Sequence, residues 1–239
     1  MDEQDLQWWH DEQGKAHRDG DQPAIIRANG SQEWYQHGKL HRDGDLPAII
    51  QSDGTMAWYQ YGKQQRDPQG DRPTIIFSSG QQEWYQNEQL HRDGDRPAMI
   101  HHDGTQCWYQ CGQLHREGDQ PAMIDSNGTR AWYQHDRLHR DGDRPALITS
   151  TDQIWYQHGQ IHRDGDRPAV IQTNGVQAWY QHGQFHRDGD QPAAFDTLGN
   201  QRWYQHGSLH REGDQPAMIQ ANGEHLWYRN GIRYIPQVT

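Results

Sequence analysis

Residues 41–64 read HRDGDLPAIIQSDGTMAWYQYGKQ, and variants of this block recur nine times along the chain. The recurrence is easiest to follow in the Trp-Tyr pair, which begins at Trp34, Trp58, Trp84, Trp108, Trp132, Trp155, Trp179, Trp203 and Trp227. The steps between these pairs are 24, 26, 24, 24, 23, 24, 24 and 24 residues. A fixed period of this length indicates one supersecondary unit stacked on itself, so any function must be explained for an array.

Helix is excluded by the composition of the block, because each copy contains proline and up to three glycines without a 3.6-residue apolar period. Strands are favoured instead. Apolar stretches flank Asp53-Gly54, and a second turn of the type His37-Gly38 follows each Trp-Tyr pair. The sequence therefore predicts an all-β fold of tandem 24-residue hairpins that form an elongated, twisted or curled antiparallel sheet.

Two-residue turns would fix the register of both hairpins. Around Asp53-Gly54, Ile49 would face Trp58 and Ile50 would face Ala57, whereas around His37-Gly38, Tyr35 would face Leu40 and Glu33 would face Arg42. The alternation of side chains then gives two faces. We expect Tyr35, Leu40, Ala48, Ile50 and Tyr59 on one face and Trp34, His41, Ile49 and Trp58 on the other.

Changes in length are confined to the predicted turns. The third copy carries two extra residues within Gln65–Asp71, and the sixth copy is one residue short within Thr149–Ile154. The Asp-Gly-Asp-x-Pro stretch reads as a loop, because proline cannot donate to a ladder. The resulting domain prediction is an N-terminal half-repeat cap over residues 1–16, nine tandem repeats over 17–230 and a C-terminal cap over 231–239.

Composition narrows the class of protein. Apolar residues make up only 31% of the 239 residues, yet there are 11 Trp and 11 Tyr, so a few large side chains per repeat must supply the core. The formal charge of −11 argues against nucleic acid and anionic membranes as partners and permits a basic protein partner. No signal-peptide or membrane-spanning stretch is evident, and we expect a cytoplasmic location.

The string of Trp34, Gly38-Lys39-Leu40-His41, Gly44-Asp45 and Asp53-Gly54 resembles the MORN repeat and its bacterial variant. The match covers nearly the whole chain. It departs from the family where Arg42 follows the histidine in place of the usual glycine, and where Pro-Ala follows Gly-Asp. The resemblance implies elongated sheets of tandem hairpins that act as non-catalytic scaffolds, and some similar bacterial proteins serve as antitoxin or immunity components. It brings no catalytic residues with it.

Each copy carries an arginine directly after the histidine position, as at Arg42, and an aspartate directly after the loop glycine, as at Asp45. His-Arg-Asp occurs in kinase catalytic loops, but the other kinase motifs are missing. We expect these groups to form an arginine–carboxylate cluster that fixes the loop, with the arginine stacked on an aromatic ring. The predicted structural framework consists of Trp34, Tyr35, Arg42, Asp45, Pro47, Ile50, Trp58, Tyr59, Trp108, Arg116, Asp119, Trp132, Trp155, Trp179 and Trp203.

Metal binding is disfavoured despite 17 histidines. Equivalent histidines on neighbouring repeats would lie roughly 9–10 Å apart, too far to share one zinc ion. Asp-Gly-Asp-x-Pro supplies too few oxygens for calcium. Cys107 and Cys111, four residues apart in an extended segment, are too distant for a disulfide and are expected to be reduced. We therefore predict no metal and no cofactor.

The reactive side chains repeat along the array, so the sequence offers no single pocket of the kind an enzyme needs, and we predict a protein without catalytic activity. The leading hypothesis is a repeat scaffold that binds a protein partner through a broad surface, as an antitoxin or immunity protein does. A self-assembling structural protein and a carbohydrate-binding protein that uses Trp and Tyr platforms are the alternatives. The residues predicted to contact a partner lie at variable hairpin tips, namely Arg27, His101, His102, Arg130, Gln201 and Glu224.

Overall fold

The computed structural model describes residues 6–66 and 71–236, and this part of the chain contains β-strands and turns without a helix. The chain forms two compact units, residues 1–116 and 117–239. The prediction of an all-β fold of tandem hairpins in an antiparallel sheet is confirmed. Residues 67–70, which belong to the insertion in the third copy, and the termini 1–5 and 237–239 lie outside the described residues.

The strands are short, and most span two residues. The first unit contains β1 (Gln7–Trp8), β2 (Ile25–Ile26), β3 (Gln32–Glu33), β4 (Tyr35–Gln36), β5 (Lys39–Leu40), β6 (Ile49–Ile50), β7 (Met56–Ala57), β8 (Tyr59–Gln60), β9 (Lys63–Gln64), β10 (Ile75–Ile76), β11 (Gln82–Glu83), β12 (Tyr85–Gln86), β13 (Gln89–Leu90), β14 (Met99–Ile100), β15 (Gln106–Cys107), β16 (Tyr109–Gln110) and β17 (Gln113–Leu114). The second contains β18 (Met123–Ile124), β19 (Arg130–Ala131), β20 (Tyr133–Gln134), β21 (Arg137–Leu138), β22 (Leu147–Ile148), β23 (Asp152–Ile154), β24 (Tyr156–Gln157), β25 (Gln160–Ile161), β26 (Val170–Gln172), β27 (Gln177–Ala178), β28 (Tyr180–Gln181), β29 (Gln184–Phe185), β30 (Ala194–Phe195), β31 (Gln201–Arg202), β32 (Tyr204–Gln205), β33 (Ser208–Leu209), β34 (Met218–Ile219), β35 (His225–Arg229) and β36 (Ile232–Tyr234).

Each repeat contributes two strands to a main sheet and two to a separate hairpin. In the first unit the main sheet runs β1-β2-β3-β6-β7-β10-β11-β14-β15. In the second unit it runs β18-β19-β22-β23-β26-β27-β30-β31-β34-β35. The remaining strands pair within their own repeat, for example β4 with β5 and β24 with β25. The repeat is therefore a four-stranded unit.

The hairpin turns have the predicted geometry. His37 and Gly38 both have positive φ, at 48° and 80°, as a type I′ turn requires, and Tyr35 pairs with Leu40. The same pairing recurs between Tyr59 and Gln64. The register predicted for Tyr35 and Leu40 is confirmed, but Glu33 pairs with Ile25 and Ile49 of the main sheet and does not face Arg42.

Two hairpin turns carry avoidable strain, because Glu88 and Asp136 each have φ 63° where the other copies have glycine. A side chain in this left-handed conformation costs free energy that glycine does not pay. We expect Glu88→Gly to raise the free energy of unfolding by about 0.5–1 kcal/mol, measured by chemical denaturation. Gly159→Ala, at φ 84°, is the opposite change and should lower it by a similar amount. A lower denaturation midpoint for Glu88→Gly would contradict this account.

The register predicted around Asp53-Gly54 is wrong by one residue, because Ile49 pairs with Ala57 and Ile50 with Met56. Gly54 has φ 91°, whereas Asp53 keeps a negative φ and accepts a hydrogen bond from the Thr55 N–H at 2.8 Å. A type I turn followed by a glycine bulge gives this three-residue loop. The aspartate therefore acts through its side chain, which bonds to the backbone two residues on.

The sixth copy shows which residue the bulge adds. Its loop lacks one residue, and the N–H of Thr149 donates directly to the Asp152 carbonyl at 2.9 Å, with Ile148 paired to Gln153. The shortened loop thus has two central residues where other copies have three. The deletion predicted from the sequence falls in a turn and leaves the ladder intact.

The tryptophans form the core of each repeat. The Trp residues from Trp34 to Trp203 are 4–6% exposed, and the alanine that precedes the first sheet strand, such as Ala48, is fully buried in every copy except the third, where Thr74 takes its place. Trp179 contacts Phe195, which occupies the position of Ile50, at a ring separation of 5.8 Å. The predicted division of faces is therefore wrong for tryptophan, which lies on the side of Ile50 and not on the side of Ile49.

Candidate functional site

An arginine lies over the indole ring of the tryptophan in each successive hairpin from Trp9 to Trp203. The guanidinium carbon is 3.7–4.0 Å from the ring centroid in all nine pairs. Arg42, for example, covers Trp34 and donates from Nη1 to the Pro47 carbonyl at 3.1 Å. Both the ring and the loop backbone hold the arginine, which is the stacked arrangement predicted from the sequence.

The same arginine binds the carboxylate of the preceding repeat. Arg42 Nε and Nη2 donate to the two oxygens of Asp21 at 2.6 and 3.0 Å. Two parallel bonds of this kind are both directional and strong. Two-point pairs recur as Arg66–Asp45, Arg116–Asp95, Arg140–Asp119, Arg163–Asp143, Arg187–Asp166 and Arg211–Asp190. Hydrogen bonding from arginine holds the pKa of these carboxyls below its ordinary value.

The histidine that begins each block contacts the turn of the following hairpin. His41 Nδ1 accepts the backbone N–H of Tyr61 at 3.2 Å, its ring stacks on Tyr61 at 4.2 Å, and Nε2 lies 3.1 Å from Asp43 Oδ1. Because Nδ1 accepts a hydrogen, the proton of the neutral ring is on Nε2, which donates to Asp43. The two ring nitrogens bond in the same way at His139, His162, His186 and His210, with Glu212 in place of the aspartate at His210. The arginine pairs join consecutive repeats, and the histidine bonds join consecutive hairpins.

The predicted framework residues fall into three groups. Trp34, Trp58, Trp108, Trp132, Trp155, Trp179 and Trp203 are buried, as is Pro47, and Arg42, Asp45, Arg116 and Asp119 belong to the inter-repeat pairs. Tyr35, Tyr59 and Ile50 are half-buried. Their phenol and alkyl groups are therefore accessible on one side.

The residues predicted to contact a partner do not all lie at loop tips. His102 and Glu224 are exposed in loops, and His101 is half-buried beside them. Arg27 is exposed and pairs through Nε with Glu33 Oε1 at 2.7 Å. Arg130 lies on β19 and Gln201 on β31, so both belong to strands of the main sheet and not to loop tips.

A row of aromatic and aliphatic side chains, which we call the tyrosine row, runs along the hairpins. In the second unit its cross-strand pairs are Tyr133–Leu138, Tyr156–Ile161, Tyr180–Phe185 and Tyr204–Leu209. All eight side chains are half-buried. Phe185 contacts the tyrosines on both sides, with ring separations of 4.2 Å to Tyr180 and 4.8 Å to Tyr204. The row is continuous from one repeat to the next.

In the first unit the same row borders the main sheet. The hydroxyls of Tyr35 and Tyr85 donate to the carboxylates of Glu33 and Glu83 at 3.1 and 3.0 Å. Burial, followed by the nearby carboxylate, raises the pKa of both tyrosines from 10.0 to about 12. These two phenols remain protonated where an ordinary tyrosine ionises.

This shift predicts a loss of stability in alkali. A phenol whose pKa is higher in the folded state stabilises the protein fully below pH 10, and this contribution is lost as the pH rises through about 12. Absorbance at 295 nm should show Tyr35 and Tyr85 ionising at a higher pH than an ordinary tyrosine. Glu33→Gln should lower the pKa of Tyr35, whereas Glu224→Gln at an exposed loop should not. Equal titration of Tyr35 in both variants would contradict the assignment.

The tryptophans do not offer open platforms. One ring face is covered by arginine and the side chains from Trp34 to Trp203 are 4–6% exposed, so a sugar ring has no exposed indole face on which to stack. Their Nε1 atoms are buried and lack a hydrogen-bond partner at Trp34, Trp58, Trp84, Trp108, Trp132, Trp155, Trp179 and Trp203. Eight unsatisfied donors in equivalent positions are unusual for a native fold.

Open spaces occur between consecutive loops. A cavity of about 560 Å³ borders Gln65 and Asn87, where glutamine replaces the histidine that would stack on the next turn. Another of about 500 Å³ lies between residues 187–191 and 210–215. Equivalent spaces at Trp155 and Trp179 measure only about 120 and 140 Å³.

Other features concern metals, thiols and membranes. Within residues 6–66 and 71–236, no group of three or more His, Cys, Asp and Glu side chains could hold a metal ion. Cys107 is buried and Cys111 is exposed, and both are free thiols; burial raises the pKa of Cys107 to about 11. No helix in the described part of the chain could cross a bilayer.

Comparison with known proteins gives no further assignment. No protein-family model matches the chain, and no curated protein matches it.

Proposed function

We propose that the protein is a non-catalytic scaffold that binds a protein partner through the tyrosine row and the adjoining sheet residues. The observation that carries this proposal is the continuity of half-exposed Tyr, Leu, Ile and Phe side chains from Tyr133 to Leu209. A contiguous apolar surface of this kind is typical of interaction sites, and tyrosine is among the side chains that contribute most to binding energy.

The rigidity of the frame supports the same function. Each hairpin is anchored by an Arg–Trp stack, by an arginine pair to the preceding repeat and by a histidine bond to the turn of the following hairpin, as at Arg163 and His162. A surface that is already ordered loses less conformational entropy on binding. The tyrosine side chain itself has few rotatable bonds and presents a large contact area.

Charge indicates the chemistry of the partner. The chain has 33 Asp and Glu residues against 22 Lys and Arg, a net charge of −11. A partner with a basic rim around apolar anchors would be attracted over distance and complement this surface on contact. An antitoxin or immunity protein directed against a basic toxin is the specific form of this proposal, in keeping with the resemblance to MORN repeats.

The proposal that the protein is not an enzyme rests on the use made of its polar groups. The His, Arg and Asp side chains of each repeat bond to one another, as His162 does with Asp164 and Arg163 with Asp143. These bonds recur in successive repeats with the same geometry. Side chains that are already hydrogen-bonded to one another within the array are poorly suited to proton transfer or nucleophilic attack.

The test is capture of a partner from native extract by the immobilised full chain. We expect capture to fail with Tyr156→Ala/Tyr180→Ala and to persist with the tip variant His102→Ala/Glu224→Ala. The captured protein, once purified, should bind the wild-type chain at a fixed ratio and more weakly as salt is added. Circular dichroism shows whether the tyrosine variant is folded.

Two outcomes would contradict the proposal. Capture that depends on the tip variant and not on the tyrosine variant would place the contact elsewhere. Light scattering that shows the chain associating with itself, with this association abolished by Tyr156→Ala/Tyr180→Ala, would assign the row to self-assembly.

A further inference from the structure

One of the spaces between loops is large enough for a small molecule. Its volume is about 500 Å³, and its walls include Gln191, Trp203, Gln205, Glu212 and Gln215. Small-molecule sites typically measure about 300–1,000 Å³. The corresponding spaces at Trp155 and Trp179, at about 120 and 140 Å³, are too small for such a ligand.

The charged groups in the wall are already paired. Arg211 binds both oxygens of Asp190 at 2.5 and 2.9 Å, and Arg187 binds Asp166 in the same way while donating to the Pro192 carbonyl at 3.0 Å. His210 lies 2.9 Å from Glu212. A charged ligand would have to break these pairs, so the cavity favours a neutral one.

The Trp203 side chain is neutral, lines the cavity and is 5% exposed. Its Nε1 is enclosed and unpaired, as it is at seven other tryptophans of the array. The indole is therefore close enough to report a bound ligand, but it does not supply a hydrogen bond to one.

The amide groups of the wall supply the donors and acceptors. At the smaller cavity Gln157 Nε2 donates to Asp164 Oδ2 at 2.9 Å, but at the larger one Glu212 replaces the aspartate, and its carboxylate bonds to His210. Gln205 thereby loses the aspartate that engages its counterpart. Gln191 and Gln215 replace Arg144 and Arg167, and where arginine is present it pairs with the aspartate of the loop, as Arg167 does with Asp143.

We propose that this cavity binds a neutral saccharide of one or two sugar units. The amides of Gln191, Gln205 and Gln215 each offer donors and an acceptor to neighbouring sugar hydroxyls. The sugar would be held by hydrogen bonds along its edge, not by stacking on the buried indole. Tyr204 of the tyrosine row also borders this cavity. The saccharide proposal rests on the amide groups and does not depend on the protein-binding proposal, whose variant changes Tyr156 and Tyr180.

The test uses four named probes, maltose, cellobiose, lactose and N,N′-diacetylchitobiose, with binding measured by saturation-transfer NMR and by calorimetry. At least one should bind the wild-type chain saturably. In a ¹H–¹⁵N spectrum it should shift one indole N–H resonance, which Trp203→Phe removes. The variant Gln191→Arg/Gln215→Arg reproduces the arginine pair of the small cavity and should weaken binding by about tenfold or more.

The matched control is Gln153→Arg/Gln177→Arg, which adds the same two charges on the main sheet, where Arg130 is the natural counterpart. It should leave binding unchanged. The proposal is overturned if none of the four sugars binds, if binding is equal in the two double variants, or if the indole that shifts survives in Trp203→Phe. The indole shift is measured on the wild-type chain and on Trp203→Phe. It therefore tests the proposal even if Gln191→Arg/Gln215→Arg fails to fold.

Discussion

Replacing Trp155 by alanine should lower the free energy of unfolding by about 3–5 kcal/mol, the largest effect expected for a single side chain of this protein. Trp155 is 6% exposed, its backbone N–H donates to the Ala169 carbonyl, and the Arg163 guanidinium lies 3.8 Å from its ring centroid. Alanine would leave a cavity and remove the support for the arginine. Since each repeat has little other apolar volume, neighbouring residues cannot fill the space.

The measurement is guanidinium denaturation followed by far-ultraviolet circular dichroism, with amide exchange of residues 146–170 as a local readout. The matched control is Trp8→Ala, since Trp8 is 50% exposed on β1. This control should cost less than about 1 kcal/mol. Equal losses for the two variants would show that the buried tryptophan is not the core of the repeat.

Replacing Arg163 by lysine should cost about 1.5–3 kcal/mol although the charge is kept. Arg163 stacks on Trp155, donates to Asp143 at 2.7 and 3.1 Å, and donates to the Pro168 carbonyl at 2.9 Å. A lysine ammonium cannot make all of these contacts at once. Its side chain here would also be largely buried, because that of Arg163 is 12% exposed.

The matched control is Arg130→Lys, the same chemical change at an exposed position of β19. It should alter the free energy of unfolding by no more than about 0.5 kcal/mol. Amide exchange should also quicken in the loop 162–168 of Arg163→Lys and not in the control. If both variants unfold at the same denaturant concentration, the two-point pair contributes nothing beyond its charge.

The sequence predicts the local structure of the hairpins well because this structure depends on adjacent residues. The pair His37-Gly38 specifies a type I′ turn, and the register of Tyr35 with Leu40 follows from it. Asp53-Gly54 permits two loops that differ by one residue. The choice depends on whether the aspartate backbone or its side chain satisfies the turn, and the dipeptide alone does not decide this.

The contacts between repeats are harder to predict. An Arg–Asp cluster follows from composition, but the partner of Arg42 is Asp21 and not the neighbouring Asp43 or Asp45. A separation of 21 residues becomes a contact only when the stacking of repeats is known. The alternation of side chains places Tyr35, Leu40 and Tyr59 on one face, but it does not show that these side chains form a half-exposed row separate from the main sheet.

The cavity beside Trp203 depends on still finer differences. It arises where Gln191 and Gln215 replace arginines and Glu212 replaces aspartate. In the sequence these appear as ordinary variation at loop positions. Their effect becomes visible only through the volumes of the equivalent spaces, since an arginine that pairs with the aspartate of the loop fills the gap that a glutamine leaves.

The pairing of each arginine with the aspartate of the copy before it has a practical consequence for engineering. A cut made at the start of a 24-residue block severs that pair, whereas a cut made just before the aspartate keeps both partners on one fragment. Shortened or lengthened versions of the protein should therefore be joined in the Gly-Asp portion of the loop, at points such as Gly142–Asp143 and Gly189–Asp190. Modules exchanged at those junctions would each keep an arginine together with the aspartate that it binds through Nε and Nη2.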